Sequence, residues 1–333
     1  MRSALVLVRV VAGLEWLAAE EVAAAGHRVV EVSKRLVVVE PSSDAIVERP
    51  PRVADDLFVV SGAAVDPGRT KAGLVAAVGA AELACEREAA FAVSASFVGV
   101  RNFNRFDIED LVGERIARLT GARYHSRRGG AVPPEERVEW RVVLDGKTFW
   151  IARRPYGVPL HRRAWRTRTV PGSLHPPVAA AMARLAGLAP GQDVLDPFCG
   201  AGTLLLEAQL LEPRARYVGL DRDPAALAAA RDNAAARANA PSGGLTWVRA
   251  DTRRLTGAAD RIVTNPPWNR RVRIGDIAPY LRAWRRVLDG RLVALLTPEQ
   301  AAALGRGWRI EARYDVAVAG RHPVIVVAEV SPG

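Results

Sequence analysis

In the second half of the 333-residue chain, four short segments carry residue types able to do chemistry on a nucleotide-like ligand. The most telling is Asn265-Pro266-Pro267-Trp268. Two prolines in succession lock the backbone as it leaves the preceding element and direct its carbonyls inward. The Asn265 side-chain oxygen and the Pro266 carbonyl then form a pair of acceptors for the two protons of an exocyclic amine. Such a pair draws the nitrogen lone pair out of ring conjugation and toward an electrophilic methyl group. Trp268 offers a flat face on which an extruded base can stack. Upstream, Asp196-Pro197-Phe198-Cys199-Gly200-Ala201-Gly202-Thr203 joins a carboxylate to a glycine-rich turn where backbone approaches a ligand closely. Asp221, 25 residues after Asp196, suits the grip of a ribose diol. These two features alone would equally suit a nicotinamide dinucleotide fold. Asp251, placed to accept from an adenine amino group, and the tetrapeptide after it break the tie.

The elements that must hold these residues alternate strictly. Strands are expected at 193–195, 217–220, 245–249, 261–264 and 291–296, with helices at 202–212, 224–239 and 277–288. Alternation of this kind predicts a parallel, doubly wound sheet whose ligand sits beyond the carboxyl ends of the strands, and each segment above falls at such an end. Two further β-rich runs, 308–318 and 324–330, are expected to pair as an antiparallel hairpin at the sheet edge. The N-terminal half reads as α+β, with a ferredoxin-like unit over 1–50 and a second unit over 51–153. Residues 154–175, with three prolines and no acid, read as a connector, and 176–333 as the domain that carries the chemistry.

Asp-Pro-Phe-Cys-Gly-Ala-Gly-Thr, Gly219-Leu220-Asp221, the Asp251 position and Asn-Pro-Pro-Trp, in this order and spacing, resemble the class I S-adenosylmethionine-dependent N-methyltransferases. Upstream, Leu160-His161-Arg162-Arg163-Ala164-Trp165-Arg166 and Pro171-Gly172-Ser173-Leu174-His175-Pro176 resemble the connector and first cofactor motif of the THUMP-domain RNA guanine-N2-methyltransferases. Gly13-Leu14-Glu15 and the segment from Arg105 to Gly113 resemble that family's N-terminal half. The resemblance implies a Rossmann-like methyltransferase domain after a THUMP-like RNA-binding domain, with S-adenosyl-L-methionine as cofactor and tRNA as partner. It places Ser173 and His175 near the methionine end of the cofactor. Asp196, Phe198, Gly200, Gly202, Thr203, Asp221, Asp251 and Asn265 become cofactor contacts, and Asn265, Pro266 and Trp268 the catalytic set. It further implies the acceptor-stem region of tRNA as target. An rRNA guanine, a DNA adenine or a protein glutamine remain alternatives for the same motif, as does a non-catalytic RNA-binding protein. Trp268 and Asn269 stand where the family more often has Tyr or Phe followed by Gly, a change that bears on the loop and on which base fits.

Composition sets the outer bounds. With 49% hydrophobic and 25% charged residues the chain can bury a core, and no apolar run is long enough for a membrane span. Two cysteines, Cys85 and Cys199, without a C-x-x-C pair fit a reducing, cytoplasmic setting. Five scattered histidines do not suggest a metal centre, and a monomer is expected. The net charge of +11 points to a polyanion. Of 47 basic residues only Lys34, Lys71 and Lys147 are lysine, so arginine choice itself reflects genome composition. Position is more informative. Residues 151–175 carry +6 and residues 249–291 carry +7, while the rest is near neutral. The predicted RNA path therefore runs over Arg153, Arg154, Arg162, Arg163, Arg166 and Arg168, and over Arg270, Arg271 and Arg273, with Arg123, Arg127 and Arg128 as a further local cluster.

Overall fold

A computed structural model of the chain describes residues 4–86, 88–237, 244–269, 273–318 and 320–331. They form two compact units, one of the residues up to Val10 with Ala18–Leu160, the other of Val11–Leu17 with His161 onward. No helix among the described residues is long and apolar enough to cross a membrane.

The first unit runs β1 (Val6–Val10), α1 (Glu15–Ala24), β2 (Arg28–Ser33), β3 (Leu36–Glu40), α2 (Ala45–Glu48), β4 (Ala54–Val65), α3 (Lys71–Ala80), β5 (Ala90–Phe97), α4 (Arg105–Thr120), β6 (Arg123–Tyr124), β7 (Val138–Leu144) and β8 (Thr148–Arg153). Among the described residues its strands form one eight-stranded sheet in the order β2-β3-β1-β4-β8-β7-β5-β6. Strands from residues 1–50 and from 51–153 thus share one sheet. Val6, Leu7, Val8 and Val10 of β1 are buried whichever face they point to. A strand of that kind belongs inside a sheet, and β1 pairs antiparallel with both β3 and β4. The Lys147 ammonium, in the β7–β8 turn, meets Glu31 of β2 at 3.1 Å. Four strand spacings of about 4.8 Å separate β2 from β8 in a flat sheet, so this one is strongly curled. Helix α4 starts at Arg105 because Asn104 caps it. Asn104 Oδ1 accepts from the Phe106 and Asp107 amides, while the Asp107 carboxylate accepts from the Asn104 amide.

The second unit runs α5 (Pro176–Leu185), β9 (Asp193–Asp196), α6 (Thr203–Leu211), β10 (Arg216–Asp221), α7 (Pro224–Ala235), β11 (Leu245–Arg249), β12 (Ala259–Thr264), α8 (Ala278–Val287), β13 (Leu288–Leu296), α9 (Pro298–Ala302), β14 (Trp308–Asp315) and β15 (Val324–Val330). Among the described residues its sheet has the order β11-β10-β9-β12-β13-β15-β14. The first five strands are parallel, and β15 slots antiparallel between β13 and β14. The expected doubly wound class with its terminal antiparallel hairpin is the one observed. Helix α8 buries Tyr280, Leu281, Trp284 and Val287 at helical spacing against Ile262, Leu292 and Leu296. Helix α5, which the periodicity did not predict, buries all of Pro176–Ala183. A helix covered on every side has no polar face to mark its turn.

Candidate active site

Strand order places the site. Successive strands are added on one side of β9 as β10 and β11 and on the other as β12 and β13, and β9 and β12, though parallel, pair only at Arg261 with Val194 and Ile262 with Leu195. Beyond that point β9 continues beside β10, with Asp196 opposite Gly219, and β12 beside β13, with Thr264 opposite Ala294. A crevice therefore opens between Asp196 on one side and Thr264 with Asn265 on the other.

On the β9 side, Asp196 is 2% exposed and accepts from the Phe198 amide at 3.0 Å. Burial raises its carboxyl pKa to about 7, partly offset by that amide. The turn after it is fastened to β10. The Cys199 amide donates to the Leu220 carbonyl at 2.9 Å and the Gly200 amide to the Asp221 carboxylate at 3.1 Å. The other Asp221 oxygen accepts from the Asp223 amide at 2.9 Å. Gly200 has φ +52°, and only Val170 Cγ2, at 3.6 Å, lies near where a Cβ would be. That glycine serves the turn beside open space. Gly202 serves something else. A Cβ there would lie 2.6 Å from Trp247 Cη2, and one on Gly219 2.4 Å from the same indole. Both glycines make room for Trp247 of β11, a packing requirement beside the ligand approach expected of Gly202. Phe198 packs its ring on Tyr280 and Trp284 at centroid distances of 5.2 and 6.3 Å. The Thr203 hydroxyl is buried with no partner among the described residues. Burial pushes the Cys199 thiol pKa up, as befits a packing residue. Asp251, beyond β11, is exposed and engaged by Arg253 at 2.7 Å, which holds its carboxyl at about 2.

On the β12 side, Asn265 Nδ2 donates to the Gly172 carbonyl at 3.4 Å. Its Oδ1 is buried and has no partner among the described residues. The rest of the tetrapeptide is held from β13 and from the start of α9. Trp268 Nε1 donates to the Leu295 carbonyl at 3.3 Å, and Gln300 Nε2 to the Pro267 carbonyl at 2.9 Å. Asn269 adopts φ +54°, the left-handed conformation that glycine supplies elsewhere. Its side chain then ties the loop, with Oδ1 accepting from the Ile274 and Gly275 amides and Nδ2 donating to the Gly275 carbonyl. The departure from Gly is thus met by a residue tolerant of this region. A cavity of about 390 Å³ opens beside Trp268, lined also by Thr297, Glu299, Gln300, Arg321 and His322.

The connector reaches the crevice from Arg162 to His175. Ser173 closes a turn, its hydroxyl accepting from the Val170 amide at 2.8 Å. The His175 ring lies 5.2 Å from that of His161, and its residue caps α5 from the backbone. Asn233, fully buried in α7, was not foreseen. It pairs with both the amide and the carbonyl of Arg168 and also donates to the Ala201 carbonyl. An asparagine inside an alanine-rich helix was its only signal. Gln300 was also missed, though Thr297-Pro298-Glu299-Gln300 after a strand carries a capping-box pattern.

The arginines expected to face RNA divide by burial. Arg163 pairs with Glu207 at 2.8 Å, the side chains 8% and 1% exposed, and Arg154 with Asp56 at 2.6 Å, 13% and 5% exposed. Burial corrects the linear charge tally here, since acids distant in sequence neutralise both guanidinium groups inside the fold. Arg153 meets Glu88 and Arg127 meets Glu139, each half-buried on the arginine side. Arg128 with Asp107 and Asp110, and Arg168 with Asp232, form exposed pairs. Arg166 donates to the Leu174 carbonyl. Arg123, Arg162 and Arg273 are exposed. Arg270 and Arg271 lie outside the described residues.

Residues 163–277 match the RMKL-like methyltransferase domain family. A tRNA (guanine(6)-N2)-methyltransferase of Thermus thermophilus is 33% identical over 262 residues, 73% of this chain and 73% of that protein. One from Archaeoglobus fulgidus is 24% identical over 327 residues, 87% of this chain and 82% of its own. The crystal structure of TrmN from Thermus thermophilus superposes with a TM-score of 0.80 at 27% identity, covering 98% of this chain and 99% of that one.

Proposed function

The chain belongs to the tRNA guanine-N2-methyltransferase family, and from that premise we propose that it methylates the N2 amine of a guanosine in the acceptor-stem region, at or near the sixth nucleotide. The methyl donor is S-adenosyl-L-methionine, which supplies an electrophilic methyl on a sulfonium. The residues present fit it. Asp221, Gly200 and the turn from Asp196 to Thr203 offer a carboxylate, a left-handed backbone and a buried unpartnered hydroxyl along one wall of the crevice. In this reading Asp221 takes the ribose, Asp251 the adenine amine, Phe198 backs the base, and Ser173 and His175 close over the methionine end.

The observation that carries the proposal is Asn265 Oδ1, a buried amide oxygen without a partner among the described residues. Such an atom costs free energy unless a donor meets its lone pairs. Asn265 Oδ1 and the Pro266 carbonyl hold the two protons of the guanine N2, localising its lone pair toward the methyl group. When bound, S-adenosylmethionine would give its methyl group to that nitrogen and leave as S-adenosylhomocysteine, the amine proton passing to water. Orientation does most of the work and no strong base is required. Trp268 stacks the base, and the protein acts as a cytoplasmic monomer without a metal.

Incubating the protein with S-adenosylmethionine and tRNA transcripts, then locating N2-methylguanosine by nuclease digestion and mass spectrometry, tests this. The modification is expected in the acceptor stem, and Asn265→Ala is expected to lower the rate roughly 10²- to 10³-fold with cofactor binding retained. Methylation near the D-stem instead would overturn the position, and full turnover by Asn265→Ala the mechanism.

A further inference from the structure

The Asn-Pro-Pro-aromatic motif recognises an amine, and adenine, cytosine and guanine all carry one. Something else must choose among them. The atom beside the amine differs. In guanine the N2 amine is flanked by N1–H, a donor, whereas the amines of adenine and cytosine are flanked on their Watson–Crick side by a ring nitrogen with a lone pair. A carboxylate facing that position accepts from guanine and is repelled by the other two.

The cavity beside Trp268 holds one carboxylate, Glu299, among its lining residues. Thr264 and Ala294 are opposed on neighbouring strands, so the chain leaves β12 as Asn265-Pro266 about one strand spacing from where β13 ends at Leu296, with Thr297 next in the chain. Glu299 is exposed, and the Thr297 hydroxyl keeps its carboxyl below the ordinary glutamate range. The capping box made by Thr297 and Gln300 fixes the turn that carries it. The Trp268 indole is pinned to Leu295, and Arg321 brings a cation to the same cavity, suited to a phosphate.

Resting on the N2-methylation reading above, we infer that Glu299 is the residue that selects guanine, accepting its N1–H while Asn265 and the Pro266 carbonyl hold the adjacent amine. The test uses tRNA ligated from synthetic pieces with either guanine or 2-aminopurine at the methylated position. 2-Aminopurine keeps the amine but has a lone pair at N1. The wild-type protein is expected to favour guanine about 10- to 100-fold in kcat/KM. Glu299→Gln, whose amide can donate to that lone pair, is expected to bring the ratio within about threefold of unity by raising turnover of the 2-aminopurine tRNA. Equal use of both substrates by the wild type, or a Glu299→Gln variant that lowers both rates by one factor, would overturn the role of Glu299 alone. Absence of N2-methylguanosine from the guanine tRNA would overturn the underlying reading and this inference with it.

Discussion

Gln300 Nε2 donates to the Pro267 carbonyl at 2.9 Å, across 33 residues of sequence. Gln300 is 6% exposed, and its Oε1 accepts from the Thr297 amide at 3.1 Å, so one side chain couples the turn after β13 to the loop after β12. Gln300→Ala is expected to lower kcat about 10-fold with little change in the cofactor Kd, and to reduce stability by about 1–2 kcal/mol. Single-turnover kinetics beside calorimetric titration of S-adenosylhomocysteine separate the two effects. A cofactor Kd that moves with kcat would mean the loop is not what Gln300 positions.

Asp196 makes stability depend on pH in a sense opposite to most surface acids. Below about pH 4 the group is protonated whether the chain is folded or not. Above that the unfolded chain releases the proton, while the folded chain keeps it to about 7. The folded state then binds more protons, so stability falls as pH rises through this window and levels off above it. Asp196→Asn removes the titration. Its unfolding free energy, from denaturant titrations, should match the wild type near pH 4 and exceed it at pH 8, by on the order of a few kcal/mol. A constant offset across the range would place the Asp196 pKa elsewhere.

Asp221 accepts from two backbone amides, at Gly200 and Asp223. Asp221→Ala is expected to weaken cofactor binding roughly 10- to 100-fold, measured by calorimetry. Unchanged affinity would remove the ribose role.

Burial separates the arginines by consequence. Alanine at exposed Arg123, Arg162 or Arg273 should leave the melting temperature alone and lower the log–log salt slope of tRNA binding by about 1 for each phosphate no longer neutralised. Arg163→Ala leaves Glu207 buried without its partner guanidinium and should cost about 3–5 kcal/mol of stability. Filter binding over a salt series, with thermal melts in parallel, checks both. An Arg163→Ala protein as stable as the wild type would refute the structural role.

Much was legible from local order. The alternation of strands and helices after Pro176, and the placement of Asp196, Asp221, Asp251 and Asn265 at strand ends, are one-dimensional signals, because periodicity and motif spacing are written along the chain. The same holds for the antiparallel hairpin at the end, whose β-rich runs flank a short turn. Tertiary structure decided the features that depend on partners far away. It set β1 between β3 and β4, so that strands from 1–50 and from 51–153 share one sheet. It packed the Trp247 indole against Gly202 and Gly219, set Asn269 in a glycine conformation, and brought Gln300 and Gly172 to the loop after β12. It also divided a uniform run of arginines into buried ion pairs and exposed charge. A guanidinium's electrostatic value depends on the carboxylates and water around it, and those are fixed only when distant strands and helices pack.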